Sequence, residues 1–305
     1  MEKRYNSFSF KSLHGELERV QKIIVNAGFT CPNRDGSKGV GGCTYCNNQT
    51  FSPQYCHTPT SVREQIKEGI KFFRYKYKGQ KYLVYFQSYT NTYGKTDELI
   101  RLYEEALSYP TVCGLVIGTR PDCVSNDLLA YFAALAKTKY VMIEYGVEST
   151  CNDTLCFINR GHSYEEAEEM ILRTVANGIH TGAHLILGLP TESREMILSH
   201  VDNISKLPIT ALKLHQLQLV KGTKMASQYA ENPSIFQLYS VDEYIELVID
   251  FLERLNPAIA IERFVSQSPK ELLIAPDWGV KNFEFIDKIN KRLIERNTYQ
   301  GRLWI

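Results

Sequence analysis

The sequence predicts an α/β fold, an open, partial (β/α)6-type TIM-like barrel with extensions at both termini. Short, almost entirely apolar segments alternate with longer segments of helical periodicity, which is the pattern of a parallel sheet covered by helices. The alternation continues for six or seven units, and no linker or low-complexity segment divides the 305 residues. We therefore expect a single domain over 1–305, with a core at about 20–265 and a C-terminal helical extension at about 266–305.

The predicted strands are short and lack polar alternation, as expected of strands that are buried on both faces of a sheet. They lie at residues 21–27, 82–86, 114–118, 140–147, 180–187, 211–219 and 258–261. Because parallel neighbours need crossover connections, a helix is expected between successive strands.

The predicted helices carry start and stop signals as well as periodicity. They lie at residues 61–75, 96–108, 126–136, 163–177, 193–204 and 242–255, followed by an amphipathic helix within 281–302. Ser61 and Ser163 are each followed three residues later by Glu, which is the spacing of a capping box. Gly178 stands where a C-cap glycine is expected after the fourth of these helices.

The composition excludes several classes of protein. A hydrophobic content of 44% and a charged content of 23% are typical of a soluble globular protein. No apolar run approaches eighteen residues and the N-terminus lacks the pattern of a signal peptide, so we expect a cytoplasmic protein without membrane association. Eight cysteines in such a chain favour metal or redox chemistry over disulfides.

Three cysteines share one Gly-rich segment, residues 26–48. Eleven residues separate Cys31 from Cys43, and two separate Cys43 from Cys46. Four of its glycines, at positions 36, 39, 41 and 42, allow the backbone to fold tightly around a bound group. A closed zinc site or an ordinary [4Fe–4S] site has four protein ligands, so an iron bound by these three thiolates would keep a free coordination position.

Two alternatives stay open for this segment. Zinc completed by His57 or Cys56 fits the Cys-x-x-Cys spacing, and unrelated thiols in a loop would need no metal. The sequence assigns no role to the cysteines outside the segment, which form no second compact triad and are expected to be free, partly buried thiols. They are Cys56, Cys113, Cys123, Cys151 and Cys156.

The most unusual segments follow the predicted strands. In a barrel of this kind the loops after the carboxyl ends of the strands form the active site. The cysteine segment and residues 87–93, 119–122, 148–162 and 188–190 all occupy such places. We therefore expect them to face one opening.

The cysteine spacing and these loop sequences resemble the radical S-adenosylmethionine (SAM) superfamily over about residues 21–263. The gap between Cys31 and Cys43 is longer than is common there. It is similar to the branch that contains the catalytic subunit of Elongator and the bacterial YhcC/YtqA-type proteins, and residues 33–36 with 41–46 resemble the latter most closely.

The resemblance implies a [4Fe–4S] cluster on Cys31, Cys43 and Cys46, with the methionine part of SAM chelating the fourth iron. An electron from the cluster would cleave SAM and release a 5′-deoxyadenosyl radical that abstracts hydrogen from a substrate. Tyr45 would pack beside the cluster and the adenine. An electron donor such as flavodoxin or ferredoxin is implied as a partner.

Two acidic residues and one arginine are implied as SAM contacts. Glu148 stands where oxygen-independent coproporphyrinogen oxidase has a ribose-binding Gln, and Glu144 is the alternative ribose partner. Arg160 stands where that enzyme has an Arg that contacts the methionine carboxylate, for which a bidentate guanidinium is suited. A surface ion pair is the alternative for Arg160.

Further SAM contacts are implied on two other strands. The strand from His184 to Gly188 matches the one whose apolar edge flanks adenine, although a His in such a strand is more often a core residue. Residues 87–89 stand in the segment that holds the methionine amine, for which main-chain carbonyls are the expected partners and Gln87 is a candidate. The residues at the same rim that remain for the substrate include 119–122, Lys213, His215, Lys221, Thr223 and Arg263.

The resemblance to the Elongator subunit implies a tRNA substrate, with remodelling of the C5 side chain of a wobble uridine. Residues 72–82 interleave basic and aromatic side chains and form either an RNA-facing patch or the solvated end of a helix. Since the chain ends near residue 305, we expect no acetyltransferase domain and a separate enzyme for any later transfer. The alternatives are a small-molecule or protein substrate, which the net charge of +1 favours, and a zinc-stabilised RNA-binding protein without catalysis.

Overall fold

The computed structural model of the protein describes residues 3–9, 20–50, 53–56, 60–73 and 80–305. The strands are β1 (Val20–Val25), β2 (Lys81–Phe86), β3 (Val112–Thr119), β4 (Tyr140–Glu148), β5 (His180–Leu187), β6 (Ala211–Gln216), β7 (Leu219–Val220), β8 (Ala260–Arg263) and β9 (Leu273–Ala275). Seven of them form a parallel sheet in the order β1-β2-β3-β4-β5-β6-β8, and β7 pairs with β9 in a small antiparallel sheet.

Helices connect the strands of the main sheet. They are α1 (Val62–Phe73), α2 (Thr96–Leu107), α3 (Asn126–Ala136), α4 (Asn152–Phe157), α5 (Tyr164–Ala176), α6 (Arg194–Ile204), α7 (Lys224–Glu231), α8 (Val241–Arg254) and α9 (Asn282–Glu295). The capping box predicted at Ser163 and Glu166 is present at the start of α5. In the described part of the chain, no helix combines the length and the apolar character needed to span a bilayer.

The main sheet curls into a half-barrel. Strands β1 and β8 lie at opposite edges of seven strands, which would be roughly 29 Å apart in a flat sheet with strands about 4.8 Å apart. Yet the Nζ of Lys22 on β1 lies 2.5 Å from a carboxylate oxygen of Glu262 on β8. Only a curled sheet brings these side chains together, so the predicted fold class, an open partial barrel, is confirmed.

Two apolar layers surround the strands. The larger packs the outer face of the sheet against the helices, with Phe86, Tyr103, Phe132 and Phe251 among its fully buried side chains. A smaller cluster fills the inside of the half-barrel, and its members are Leu83, Tyr85, Val116, Tyr140, Met142 and Ala211. The inside of the half-barrel is therefore apolar along one part of the strands. Another part of the same strands carries charged side chains.

Chain segments outside the barrel cover its last strand and its last helix. The main chain of Ile261 on β8 exchanges hydrogen bonds with Asn6 (2.7 Å) and Phe8 (3.0 Å), which protects this edge from pairing with another chain. Just beyond the end of α9, the guanidinium of Arg296 bonds to Glu246 on α8 at 2.9 Å and to Asp250 at 2.8 Å.

The predicted elements differ from the observed ones mainly near the C-terminal end of the barrel. The predicted strand 211–219 divides into β6 and β7, because β7 leaves the main sheet to pair with β9. The predicted strand 258–261 begins later, since the turn at Asn256 holds Ala258 and Ile259 by hydrogen bonds of 2.9 and 3.1 Å. Helix α4, which lies within the predicted loop 148–162, and helix α7 were not predicted.

Gly114 on β3 gives a stability prediction. A Cβ at this position would lie 2.0 Å from the main-chain oxygen of Tyr140 on the neighbouring strand, and a backbone atom cannot move aside as a side chain can. Gly114→Ala should therefore lower the free energy of unfolding by about 3 kcal/mol, near the upper end for overpacking. Urea unfolding followed by circular dichroism measures it.

The matched control is Gly94→Ala. A Cβ there would lie 3.5 Å from Leu99, an ordinary contact, so the change should stay within about 0.5 kcal/mol of wild type. Equal unfolding midpoints for the two variants would contradict the predicted close approach of β3 and β4.

Candidate functional site

A pocket opens at the carboxyl ends of the strands and is lined from both the loops and the sheet. It contains about 1270 Å³ of space, part of it open to solvent. The cysteine loop, Gln87, Thr119, Glu148 and Arg160 all contribute to its lining. Loops from the first four strands thus face one opening, as expected, whereas Gly188 after β5 lies outside the lining.

Tight turns bring the three cysteines to the mouth of this pocket. The carbonyl of Cys31 accepts hydrogen bonds from Arg34 (2.8 Å) and Asp35 (3.2 Å), and the carbonyl of Cys43 accepts one from Cys46 (3.0 Å). Gly42 between them has φ +81°, a conformation that favours glycine, and a Cβ there would lie 2.8 Å from the Arg34 side chain. All three cysteines are free thiols and all three line the pocket.

Nitrogen donors point at two of these sulfurs. The Sγ of Cys43 accepts hydrogen bonds from Arg160 Nη1 at 3.5 Å and Asn33 Nδ2 at 3.7 Å. The Sγ of Cys46 accepts one from Asn48 Nδ2 at 3.4 Å. Such donors stabilise thiolates and tune a metal cluster bound to them.

Burial and the charge of Arg34 shift the pKa of the Cys46 thiol in opposite directions. Burial and the nearby Cys43 raise the pKa of its thiol, whereas Arg34 lowers it. The guanidinium of Arg34 also bonds to the main-chain oxygen of Cys46 at 2.9 Å. A bound metal would therefore have to displace the proton of Cys46, with Arg34 favouring the thiolate.

Nothing in the described residues supports the zinc alternative. No three His, Cys, Asp or Glu side chains there converge as the ligands of a single metal ion do. A cluster distributes its ligands over separate irons and does not require that convergence. Cys56 lies away from the pocket and its thiol donates to the Ile24 carbonyl at 3.4 Å, while His57 lies outside the described residues.

Arg160 and Glu148 form the wall next to Cys43. Arg160 is 7% exposed, and its Nη2 donates to the Gly146 carbonyl at 2.5 Å and lies 3.7 Å from Glu148 Oε1. A register shift in β4 and a φ of +71° turn Glu148 out of the regular strand. Gly146 leaves room for both groups, since a Cβ there would lie 2.5 Å from Glu148 Oε1. The Nε of Arg160 is buried and has no partner among the described residues.

The cysteine loop is fastened to the loop between α4 and α5. Asn33 Nδ2 donates to the Asn159 carbonyl at 2.5 Å, and Asn159 Nδ2 donates back to the Gly42 carbonyl at 2.9 Å. The main-chain nitrogen of Thr44 donates to the Ile158 carbonyl at 2.9 Å. These bonds determine where the thiols lie relative to Arg160.

Arg120 and Asp122 have a structural role, and the substrate role of residues 119–122 stays a prediction, since Thr119 and Arg120 also line the pocket. Arg120 is 2% exposed, bonds both oxygens of Asp122 at 2.9 and 3.0 Å, and donates to the Arg160 carbonyl at 2.7 Å. Lys38 of the cysteine loop bonds Asp122 at 2.5 Å. Burial alone would raise the pKa of Asp122, but Arg120 and Lys38 lower it to about 2.

Glu144 lies in a network of buried charges below the pocket mouth. One carboxylate oxygen lies 2.9 Å from Lys22, and the other lies 2.5 Å from Lys213 and 3.2 Å from His184. Glu262 bonds the same two lysines at 2.5 and 3.3 Å. Lys213, which the sequence analysis left for the substrate, is already paired with both of these carboxylates. Glu144 as a ribose partner stays a prediction, with both of its oxygens engaged.

Some of the other residues predicted to contact SAM or the substrate line the pocket, and some do not. Tyr45, Gln87 and His184 line the pocket, and Gln87 Oε1 is buried without a partner among the described residues. Gly188 has φ +93°, and a Cβ there would lie 3.3 Å from the Tyr239 ring, so the turn itself explains this glycine. Thr223, a substrate candidate, caps α7 by accepting a hydrogen bond from Ala226 at 3.1 Å.

Sequence reasoning missed the side chains that support the site. Asn33, Asn48 and Asn159 act through hydrogen bonds to sulfur or to main chain, and only the nearness of the first two to cysteines in the sequence hints at such roles. Glu192 accepts a hydrogen bond from Ser149, the neighbour of Glu148, at 2.5 Å. The separation of 43 positions between the two conceals this contact in the sequence.

The comparisons with known proteins agree with this geometry. Residues 28–204 match the family model described as the Radical SAM superfamily, and residues 209–295 match the Radical_SAM C-terminal domain. The chain belongs to the radical SAM superfamily. The family resemblance predicted from the cysteine spacing is thereby confirmed, and the superfamily's [4Fe–4S] cluster and SAM are the cofactors.

Relatives from Bacillus subtilis and Escherichia coli match nearly the whole chain. The chain is 33% identical over 303 residues to YtqA of Bacillus subtilis, covering 99% of this chain and 94% of YtqA. It is 28% identical over 309 residues to YhcC of Escherichia coli, covering 100% and 98% of the two chains. The predicted subgroup is therefore confirmed.

More distant matches involve proteins of the Elongator type. The fold is similar to that of Elp3 from Methanocaldococcus infernus with an N-terminal deletion, with a TM-score of 0.65 at 16% identity, covering 92% of this chain and 64% of that chain. The chain is 28% identical over 146 residues to the tRNA uridine(34) acetyltransferase of the same organism, covering 47% of this chain and 26% of that protein.

The residues of this radical SAM protein fit the cofactors of its family. Three free thiols share the pocket, and nitrogen donors point at two of their sulfurs. Arg160 Nε and Gln87 Oε1 are buried without partners among the described residues, at a wall where the amino and carboxylate groups of SAM would need such groups. A donor set of three thiols leaves one iron position for SAM.

Asp122 gives a pH-dependent stability prediction. Its pKa of about 2 in the folded protein lies below its value of about 3.9 in an unfolded chain, so its contribution is present above pH 4 and is lost as the pH falls toward 2. Asp122→Asn should lower the free energy of unfolding at pH 7 by roughly 2 kcal/mol, and this difference from wild type should shrink between pH 5 and pH 2. Urea unfolding of the apoprotein at several pH values measures it.

Asp202→Asn, on an exposed face of α6, is the control and should stay within about 0.5 kcal/mol of wild type. A deficit in Asp122→Asn that stayed constant down to pH 2 would contradict the assignment of the lowered pKa to the Arg120 and Lys38 contacts.

Proposed function

We propose that this protein is a radical SAM enzyme that modifies tRNA by remodelling the C5 side chain of a wobble uridine. The observation that carries the enzymatic part is the contact of Arg160 with Cys43 in a pocket that also contains polar side chains of β5, β6 and β8. One side of the pocket offers groups suited to the cofactors. The other offers space and hydrogen-bonding groups for a substrate.

In this proposal each side chain on the cofactor side of the pocket has one role. Cys31, Cys43 and Cys46 hold the cluster, and Arg160 binds the carboxylate of SAM. When bound, the cluster and SAM supply a 5′-deoxyadenosyl radical that abstracts hydrogen from the substrate. Glu148 accepts hydrogen bonds from the ribose.

Three further side chains would complete the SAM site. Tyr45 and His184 flank the adenine, and the buried Oε1 of Gln87 accepts a hydrogen bond from the methionine amine. Gly188 would act only through the shape of its turn. Each of these assignments follows from the position of the residue in the family pattern and from its place at or near the pocket.

The tRNA part of the proposal is supported by relatives and by one surface feature. The matching protein from Methanocaldococcus infernus is named a tRNA uridine(34) acetyltransferase, and the Elp3 fold is shared. Phe72 at the end of α1 is 72% exposed, which suits stacking on a base, whereas Tyr82 is buried in β2. The intervening residues 74–79 lie outside the described part of the chain.

The proposal needs two partners. An electron donor such as flavodoxin or ferredoxin would reduce the cluster, and a separate enzyme would perform any later group transfer. A small-molecule or protein substrate is the second candidate. The net charge of +1 favours it, because a large RNA contact would normally be accompanied by a basic excess.

Removal of one cluster thiol tests the enzymatic part. Cys43→Ala should lose at least 100-fold in 5′-deoxyadenosine formation, because a cluster with two thiolate ligands cannot be held for SAM. The assay uses anaerobically reconstituted protein with dithionite and SAM, and chromatography of the products. Cys156→Ala, which removes an exposed thiol, should retain wild-type activity and iron content.

The tRNA part is tested with tRNA from a strain that lacks this protein. Incubation with the reconstituted enzyme should change the mass of a single wobble nucleoside in digested tRNA, and Cys43→Ala should leave it unchanged. Formation of 5′-deoxyadenosine without any change in tRNA would favour the small-molecule or protein substrate. A colourless protein that retains zinc and produces no 5′-deoxyadenosine would favour the alternative of a zinc-stabilised RNA-binding protein without catalysis.

A further inference from the structure

Arg263 reaches the pocket because the last strand of the barrel is irregular. In the pairing of β6 with β8, Leu212 is opposite Ile261 and Lys213 is opposite Arg263, so Glu262 is an extra residue. Such a bulge redirects side chains that would otherwise alternate between the two faces of the sheet. As a result Glu262 meets the lysines inside the half-barrel and its neighbour Arg263 lines the pocket.

The charge of Arg263 is the one inside the barrel that the described residues leave without a counter-ion. Lys22 and Lys213 are each bonded to both Glu144 and Glu262. The side chain of Arg263 makes no hydrogen bond or ion pair within the described part of the chain, although it is only partly exposed. A guanidinium held in this way at a pocket wall suits a bidentate anion.

His215 on β6 lies in the same part of the pocket, with its ring centroid 5.5 Å from that of His184. Its Nε2 is buried and makes no hydrogen bond to the described residues. Burial, His184 and the charge of Arg263 hold its pKa well below the usual value, so the ring is neutral at pH 7. A neutral imidazole offers one N–H for a further hydrogen bond to an anion bound by Arg263.

Arg263 lies in a different part of the pocket from Arg160, the residue proposed to bind the SAM carboxylate. Arg160 bonds to Cys43 and lies beside Glu148, at the cluster side of the pocket. The charge of Arg263 instead acts on His215 and Lys213, whose pKa values it lowers. The two guanidinium groups therefore belong to different parts of one pocket.

We propose that Arg263, assisted by His215, binds an anionic group of the substrate, either a carboxylate or a phosphate, and so positions the substrate for the radical. The inference deepens the proposed function and rests on it for the identity of the substrate. Arg263 is a specificity residue in this proposal. The buried ion pairs of Glu144 and Glu262 with the two lysines fix the position of β8, the strand that carries Arg263.

Reciprocal substitutions test the separation of the two arginines. Arg263→Gln should lower tRNA modification at least 10-fold, with substrate-free 5′-deoxyadenosine formation within twofold of wild type. Arg263→Lys should recover part of the modification, because it restores the charge without the bidentate geometry. Arg160→Gln should lower substrate-free formation itself. Arg101→Gln, which removes one exposed charge on α2, is the control and should change neither readout.

Salt dependence distinguishes the two anions. If Arg263 binds a phosphate, the slope of log affinity for tRNA against log salt should decrease by about 0.7 in Arg263→Gln. If it binds a carboxylate on the base, the slope should be unchanged while modification still falls. Full tRNA modification by Arg263→Gln, or a loss of substrate-free 5′-deoxyadenosine, would overturn the proposal.

A second measurement keeps the inference testable if wild-type protein leaves tRNA unmodified. Acetate and inorganic phosphate are titrated calorimetrically into reconstituted wild type, Arg263→Gln and Arg101→Gln. Binding of either anion that weakens at least 10-fold in Arg263→Gln alone would support the anion site without a tRNA substrate. Equal binding, or none, in all three proteins would overturn it.

Discussion

The hydrogen bonds that fasten the cysteine loop to the loops after β3 and β4 are the interactions on which the site depends. The cysteine loop has little regular structure of its own, so glycine turns alone would leave its sulfurs in many arrangements. Asn33 and Asn159 exchange contacts across the two loops, and Arg120 bonds the main chain of Arg160 while Asp122 binds Lys38. The thiols and the guanidinium of Arg160 are thereby held in one frame, which is what a cluster and its chelating SAM require.

The half-barrel supports this frame with charges buried where a closed barrel would have apolar side chains. Lys22 and Glu262 stand on the two edge strands, and their ion pair joins edges that have no ladder between them. Burying such charges is costly, and the cost is offset only because every lysine faces two carboxylates. The same network forms a polar wall below the pocket, beside which the Arg263 side chain and His215 Nε2 have no hydrogen-bond partner among the described residues.

Local signals in the sequence were sufficient for most of the fold. Helix α3 was predicted at its observed bounds, and the capping box at Ser163 marked the start of α5, because periodicity and capping depend on residues close in the chain. The end of the barrel was harder. The apolar run after Ala211 continues past β6, and only the pairing of β7 with β9, some fifty residues later, shows where the strand divides. Short helices such as α4 carry too few residues for a periodic signal.

By itself the sequence determined the fold class, which follows from local periodicity, and its resemblance to a known family determined the family and the cofactors. Only the tertiary structure decided which charged residues are free to bind a ligand and which are paired within the protein. Lys213 and Arg120 look in the sequence like free cations at the rim, yet both are buried and paired, while Arg263 is left without a counter-ion in the described residues. The reason is physical: pairing depends on distances between side chains of different strands, and a one-residue bulge in β8 is enough to change which of them meet.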